Sequence, residues 1–232
     1  MKTALQWVRG AMDWTALPDM TDARLRPAAV ALPDGRAMVI GGFGHRPLAS
    51  VEVLAADGSG WSALAPMGTA RSDPTAAVLP CGKVLVAGGY GTGGATLKTA
   101  ELWDPATGAW SDLHPMAHAR FIAGCCVLPS GRAAVVGGYG SDFQNLSDGE
   151  VFDPEAGTWQ PLPPMAHGRI GHAVVAVAGG LVVVAGAYQT PDNAIPDTSA
   201  PDELYDEASG RWFALPHPMV EPRRGCRAIS LS

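Results

Sequence analysis

The chain has 232 residues, of which 47% are hydrophobic and 16% charged, and its formal net charge is −6. This length fits one large β domain or two small ones, and the acidic balance argues against a surface that binds nucleic acid. No run of apolar residues is long enough to predict a membrane span. The opening residues, MKTALQWVRGAMDW, lack the apolar stretch of a secretory signal.

Along the chain, the predicted elements recur with a period of about 48 residues. Four apolar segments that end in Gly-Gly or Gly-Ala lie at 28–42, 76–89, 125–138 and 173–187. Three residue types recur with the same period: Trp14, Trp61, Trp110, Trp159 and Trp212; Glu52, Glu101, Glu150 and Glu203; Arg24, Arg71, Arg120, Arg169 and Arg223. Self-similarity of this length predicts a repeat architecture whose unit is a propeller blade.

One repeat, residues 75–113, predicts four antiparallel strands. TAAVLP and KVLVAGG, separated by the turn Cys81-Gly82, indicate a hairpin that is apolar on both faces and therefore buried. After a glycine-rich loop from Tyr90 to Leu97, TAELWD and AWSDL flank the turn DPATGA. Stacking such sheets hides their faces from water. We expect the recurring tryptophan to be buried between blades, where it would contribute at most about 4–6 kcal/mol.

The paired glycines that close each second strand indicate positive φ or a close approach of another backbone segment. They are Gly41-Gly42, Gly88-Gly89 and Gly137-Gly138. By residue count the fourth repeat has Gly186-Ala187 at this place, followed by Tyr188. We therefore expect the second glycine position to tolerate a methyl group.

The order of these features resembles the kelch repeat: an apolar strand, Gly-Gly, Glu-x-aromatic or aliphatic, a Trp seven residues further on, and Pro-Met-x-x-x-Arg. The resemblance extends from about Trp7 to Arg227. It implies an all-β fold, a β-propeller of four complete kelch blades plus one incomplete blade, in a single domain over 1–232. The expected blades lie at about 25–65, 72–114, 121–163 and 170–216, with partial strands at 3–16 and 225–232. Two alternatives stay open, a five-bladed ring with a defective closing blade and a piece of a longer propeller.

The resemblance also implies a face at which the loops between strands two and three meet the linkers between blades. Aromatic and arginine side chains on such a face are typical of binding hot spots, and in related kelch proteins they hold acidic segments. We therefore predict a protein or peptide ligand, acidic in character, at Phe43, Arg71, Tyr90, Arg120, Tyr139, Arg169, Tyr188 and Arg223. The alternative is that the repeated Arg and Glu residues pair with each other and only support the architecture.

We accordingly expect a non-enzymatic protein–protein interaction module, a substrate-recognition or scaffold subunit of the ubiquitin-ligase-adaptor or cytoskeletal type. The alternative is a propeller enzyme that acts on small molecules. The segments LPDGR and DPATG are similar to galactose oxidase and glyoxal oxidase, which need copper and a tyrosine cross-linked to cysteine. No nucleophile motif or phosphate loop is present in the sequence.

The cysteines and histidines predict no metal and no cofactor. Cys81, Cys125, Cys126 and Cys226 lack the paired spacing of metal ligands, which indicates free thiols and a reducing, cytoplasmic environment. His118 and His167 share one place in the repeat, so a metal site there is the minor alternative. The longer loop at 187–203, with Asp192, Asp197 and Asp202, is expected to be a tolerated surface insertion. The oligomeric state is left open.

Overall fold

The computed structural model describes residues 2–6, 12–184, 186–188 and 201–216. Apart from one 3-10 turn at Thr92–Gly94, all regular structure in these ranges is β, which confirms the predicted all-β class. No helix within these ranges has the length and apolar character needed to cross a membrane.

The strands form four antiparallel sheets of four strands each, together with smaller two-stranded pairs. The first pair is β1 (Leu5–Gln6) and β2 (Thr15–Ala16). Blade 1 contains β3 (Ala28–Ala31), β4 (Ala37–Ile40), β5 (Val51–Leu54) and β6 (Trp61–Leu64). Blade 2 contains β7 (Thr75–Val78), β8 (Val84–Ala87), β9 (Ala100–Asp104) and β10 (Ala109–Asp112). Blade 3 contains β11 (Gly124–Val127), β12 (Ala133–Val136), β13 (Gly149–Asp153) and β14 (Thr158–Leu162).

The fourth sheet follows the same order with one addition. The short strand β15 (Arg169–Ile170) precedes β16 (Ala173–Val177) and β17 (Gly180–Val184), and it pairs with β18 (Ala187–Tyr188). Blade 4 is then completed by β19 (Glu203–Asp206) and β20 (Arg211–Ala214). In every blade the strands are hydrogen-bonded in chain order, as expected for hairpins joined by short turns.

The hydrophobic core lies between neighbouring blades. Side chains alternate along a strand, so Val84 and Val86 of β8 pack towards blade 1, where they meet Met38. Leu85 of the same strand packs towards blade 3, together with Phe152. The first strands β3, β7, β11 and β16 contact one another in that order. Because β8 has a neighbour on both faces, all four of its residues are buried.

The repeated tryptophans join the outer strands of successive blades. Trp110 is half-buried, and its Nε1 donates to the carbonyl of Ala65 in the preceding blade at 2.8 Å. The same bond is made by Trp61 to Pro18, Trp159 to His114 and Trp212 to Pro163. These four rings are half-buried rather than buried as expected, because they lie on the outermost strand. Trp110, Trp159 and Trp212 pack against the inter-blade core. A hydrogen bond worth about 0.5–1.5 kcal/mol accompanies the reduced burial.

The second glycine of each pair is required by its neighbours. In blade 2, Gly89 has φ +102°, and a Cβ placed there would lie 2.9 Å from the carbonyl oxygen of Ser72. In blade 4 the corresponding residue is Gly186, with φ +92° and a Cβ position 3.0 Å from the oxygen of Ile170. The expectation that this position tolerates a methyl group is therefore wrong.

A one-residue shortening of blade 4 explains that error. Cross-strand partners of the inner hairpin lie ten residues apart in blade 2, Ala76 with Val86, but nine apart in blade 4, Val174 with Val183. When positions are counted from the preceding arginine, each residue of β17 and β18 is therefore matched to a residue of blade 2 that lies one place before its true equivalent.

The predicted strands at 3–16 are present as β1 and β2, whose residues Leu5 and Ala16 pair. The predicted strand at 225–232 lies outside the described residues. The three cysteines within them are free: Cys81 is exposed, Cys125 half-buried and Cys126 buried. Burial raises the pKa of the Cys125 thiol to about 12, so this thiol is held in its protonated form.

Candidate partner-binding face

Two kinds of loop meet at one end of each blade. The residue after each repeated arginine pairs with the residue after the second glycine position of the blade: Leu25 with Phe43, Ser72 with Tyr90, Phe121 with Tyr139, and Ile170 with Ala187. We call the surface formed by linkers 21–27, 68–74, 117–123 and 166–172 and by loops 41–49, 88–99 and 137–148 the loop face. The hairpin turns within the inner and outer strand pairs lie at the opposite end of the blades.

The arginines predicted to bind a partner lie beneath the loop face. Arg71, Arg120 and Arg169 are 0%, 1% and 1% exposed. Arg71 donates from Nη1 to the carbonyls of Gly88 and Thr99, both at 2.8 Å, and from Nη2 to Glu101 at 2.9 Å. This arrangement fits the architectural alternative, because the buried guanidinium donates from both Nη atoms to internal acceptors and does not reach the surface.

We call each such pair an Arg–Glu clamp. The Nη2–Oε1 distances are 2.6 Å for Arg24–Glu52, 2.9 Å for Arg71–Glu101, 3.4 Å for Arg120–Glu150 and 2.9 Å for Arg169–Glu203. The glutamate lies on the third strand of the blade that follows the arginine's linker. Each clamp therefore fixes an inter-blade linker to the blade that the linker introduces.

The glutamate of the clamp also accepts hydrogen bonds from the backbone of the linker. Glu52 accepts the N–H groups of Thr21 at 2.7 Å and Asp22 at 3.1 Å, in addition to the guanidinium of Arg24. Burial acts to raise the pKa of Glu52, but these three donors outweigh burial and hold the pKa below its ordinary value of 4.5. The carboxylate is therefore stabilised in its charged form.

The clamp of blade 3 contains a second acid. Asp148 Oδ2 lies 3.1 Å from Arg120 Nη2 and 2.5 Å from His118 Nδ1, while the distance from Arg120 to Glu150 lengthens to 3.4 Å. Burial would raise the pKa of Asp148, but Arg120 and His118 hold it below its usual range. His118 is 64% exposed at its side chain, so this pair reaches the surface.

The predicted aromatic residues occupy the loop face to different degrees. Phe43 is 40% exposed, whereas Tyr90 and Tyr139 are half-buried. Both tyrosine rings lie 5.4 Å from the ring of Phe121, which is only 9% exposed. Phe143 stands edge-on to Phe121 at 6.2 Å and is 55% exposed. These four rings form one cluster between blades 2 and 3.

A left-handed residue follows each clamp arginine by two positions. These residues are Arg26, Asp73, Ile122 and Gly171, with φ of +51°, +52°, +56° and +60°. The N–H of Asp73 donates to the carbonyl of Arg26 at 3.1 Å, and the N–H of Ile122 to that of Asp73 at 3.3 Å. Backbone hydrogen bonds therefore connect the linkers of successive blades. Non-glycine residues in this conformation are strained, and such strain concentrates at functional surfaces.

Exposed side chains of the loop face include several that the repeat did not reveal. Arg26 has 69% of its side chain exposed, and its Nη1 lies 3.7 Å from Asp73 Oδ1. Leu25 is 53% exposed beside it, and His45 and Arg46 are exposed on the neighbouring loop. These residues, like Phe143, do not recur from blade to blade. Their lack of recurrence was the sequence signal that could have identified them. A residue type that recurs in every blade supports the architecture, so residues that occur once are better candidates for binding.

Tyr188 and Arg223 complete the set of predicted site residues. Tyr188 pairs with Arg169, and Ala187 takes the position that Tyr90 and Tyr139 hold in their blades. Its assignment to the aromatic position is corrected by one place, because the blade 4 hairpin is one residue shorter. Arg223, together with 189–200 of the long loop, lies outside the described residues. Asp202 is buried.

Histidine and acidic side chains do not assemble into a metal site within the described ranges, where no group of three or more His, Cys, Asp or Glu could hold an ion. His118 bonds to Asp148, and His167 Nδ1 lies 4.0 Å from Glu203. The two histidines that share a place in the repeat therefore each associate with a carboxylate of their own blade.

Comparison with known proteins agrees with this architecture. Two descriptions of the kelch motif match the sequence, one over residues 71–117 and the other over 135–166. No curated protein sequence matches the chain. The solved structure of YjhT is similar to it, with a TM-score of 0.81 over 98% of this chain and 81% of that chain, at 16% sequence identity. At that identity the similarity concerns the fold alone.

Proposed function

Because the chain is a kelch-repeat β-propeller, we propose that it is a non-enzymatic interaction module whose loop face binds a protein or peptide partner. The observation that supports this proposal most directly is the exposure of apolar side chains. Seven large hydrophobic side chains are exposed in the described ranges, and three of them, Leu25, Phe43 and Phe143, lie on the loop face. Exposed apolar area beside charged groups is typical of interaction surfaces.

The part of the face on blade 1 suits an acidic, partly apolar segment. Leu25 and Phe43 are joined by two backbone hydrogen bonds of 2.8 and 2.7 Å, so their side chains are carried on a rigid support. Arg26 and Arg46 supply exposed cations next to them. The acid-binding role that the sequence suggested for Arg71, Arg120 and Arg169 thus passes to arginines that no clamp uses.

The wider role is proposed on the family resemblance alone. It is that of a cytoplasmic substrate-recognition or scaffold subunit, with a ubiquitin-ligase or cytoskeletal assembly as its context. Neither a nucleic acid nor a membrane is proposed as a partner. The oxidase-like alternative rests on the segments LPDGR and DPATG alone and is not proposed.

Affinity capture from source lysate with a double variant, Leu25→Ser with Phe43→Ser, tests the proposal. Both residues are exposed, so the double variant is expected to fold normally by circular dichroism and to lose the captured partner. The matched control is Phe213→Ser, which removes another exposed phenylalanine, 46% accessible, from the outermost strand of blade 4. Partners retained by the double variant and lost by the control would place binding elsewhere and overturn the proposal.

A further inference from the structure

Phe143 occupies a backbone conformation that suits glycine. Its φ is +58°, and the equivalent residue of the blade 2 loop is Gly94, with φ +86°. A bulky residue at positive φ is an outlier, and the ring gains only partial burial in return, since 55% of it is exposed. Local backbone preference therefore does not account for a phenylalanine at this position.

The ring is positioned by its neighbours. It stands nearly perpendicular to Phe121, with an interplanar angle of 82°, and Phe121 lies between Tyr90 and Tyr139. The N–H of Phe143 donates to Gly140 at 3.1 Å. With 55% of the residue exposed, part of the Phe143 ring remains available to a further group.

A carboxylate stands next to this ring. Asp142 is exposed, and its Oδ1 accepts the N–H of Gln144 at 3.1 Å. Its Oδ2 makes no hydrogen bond or ion pair to any residue that the structure describes. The Asx-type bond fixes the direction of the carboxylate, so an oriented anion and an exposed aromatic side chain lie on adjacent residues.

The charges around this point favour a cation. The four clamp arginines are neutralised by their glutamates, and exposed Arg26 lies beside Asp73. The exposed cation of the adjacent blade 2 loop, Lys98, lies at the outer end of that loop, where its carbonyl accepts the N–H of Met116. Among the described residues, Asp142 thus forms no ion pair with any of these cations.

We propose that Asp142 and Phe143 form a subsite for an arginine side chain of the partner. The guanidinium plane stacks on the exposed face of Phe143 while its N–H groups donate to Asp142. This inference rests on the proposed function, because it assigns one subsite of the same loop face.

Arginine is the side chain that satisfies both groups at once. Its planar guanidinium stacks on aromatic rings and also bonds a carboxylate with two parallel donors. Lysine offers a point charge that matches the carboxylate but not the ring. An uncharged aromatic side chain would cover Asp142 without giving it a donor, which is unfavourable. The partner segment therefore combines an acidic part for blade 1 with an arginine for blade 3.

The test uses the full chain and a small probe, N-acetyl-arginine amide, followed by amide chemical shifts in NMR. The shifts are expected to localise to residues 139–144 and to saturate. The citrulline analogue has the same planar shape without the charge. The analogue is expected to bind about fivefold more weakly than the arginine probe, because the loss of an exposed ion pair weakens binding by about this factor. For the same reason the arginine probe is expected to bind about fivefold more weakly to the Asp142→Asn variant.

The matched control for the carboxylate is Asp57→Asn. Asp57 is also exposed, and its Oδ1 accepts the N–H of Ser59 at 2.9 Å in the same type of turn, at the end of the blades opposite the loop face. This variant is expected to bind the arginine probe like the unaltered chain. Equal affinities of the Asp142→Asn and Asp57→Asn variants, both reduced or both unchanged, would overturn the proposal.

Phe143→Gly separates a binding role from a structural one. Because glycine suits φ +58°, the urea midpoint of this variant is expected to stay unchanged or rise while the arginine shifts disappear. A lower midpoint with the arginine shifts intact would show a structural phenylalanine and overturn the subsite. Loss of the subsite with normal partner capture through Leu25 and Phe43 would leave the proposed function standing, so the two failures are distinguishable.

Discussion

Trp103 carries a buried polar group without a partner. It is 2% exposed in β9, and its Nε1 has no hydrogen-bond partner among the described residues. The repeated outer tryptophans such as Trp110 all donate to a carbonyl. The equivalent of Trp103 in blade 3 is Phe152, which fills the same inter-blade space without an N–H group. A buried donor without an acceptor costs about 1–3 kcal/mol.

Trp103→Phe is therefore expected to lower the free energy of unfolding by less than about 1 kcal/mol, because removal of the unpaired donor offsets the lost ring volume. Urea titration followed by circular dichroism measures this value. Phe152→Ala, which removes a ring with no polar group, is the control and is expected to lose about 3–5 kcal/mol. A loss above 2 kcal/mol for the Trp103 variant would contradict the account.

At the scale of the element, the Arg–Glu clamp determines where a linker ends and a blade begins. The linker is short, apolar residues follow it, and its backbone N–H groups need acceptors. Glu101 supplies those acceptors to Gly68 and Thr69 at 2.6 and 3.0 Å, and Arg71 neutralises the glutamate. The charged pair is thus part of the backbone hydrogen-bonding scheme, which explains why every described blade has one.

Arg71→Ala is expected to cost about 3–5 kcal/mol, because it leaves Glu101 buried without its counter-charge. The measurement is the free energy of unfolding in urea. The control is Arg36→Ala, since Arg36 is bonded to Asp34 at 2.7 Å on an exposed turn and a surface pair contributes at most about 1 kcal/mol. Similar losses for the two variants would mean that the clamp is not structural.

At the scale of the whole molecule, stability is expected to depend on pH through several carboxylates. Burial opposes the charged form of Glu52, Asp148 and Glu207, but hydrogen bonds and cations outweigh burial and lower the pKa of each below its ordinary value. A lowered pKa in the folded state stabilises the fold at pH values above the ordinary pKa of 4.5 or 3.8. That contribution is lost as the pH falls through the lowered values.

We therefore expect the urea midpoint to be constant from pH 7 to about pH 5 and to fall steadily below it. Glu52→Gln is expected to be less stable at pH 7 and to show a shallower decline in acid, because the titrating group is gone. A midpoint that does not change between pH 6 and pH 3 would contradict this assignment of the carboxylates.

The blade architecture could be predicted because each position of the repeat occurs several times in the sequence. Whether a repeated side chain points to the surface or to the interior could not be predicted. A recurring arginine is equally compatible with a donor on the surface and with the internal ion pair that Arg71 forms. Counting also failed where blade 4 is one residue shorter, which moved Tyr188 by one place. Arg26 and Phe143 escaped prediction because they occur once each and acquire their meaning from neighbours in other blades.

The spacing of the clamps and the tryptophan bonds has a consequence for synthesis on the ribosome. The arginine and glutamate of a clamp are separated by 28 residues in blade 1 and 34 in blade 4. A tryptophan binds a carbonyl 45 residues earlier in blade 2. In each of them the later residue binds chain that emerged before it, so a nascent polypeptide that has emerged from the ribosome through Asp112 can dock blade 2 on blade 1. A polypeptide that has emerged only to a point before Glu101 carries Arg71 without its counter-ion.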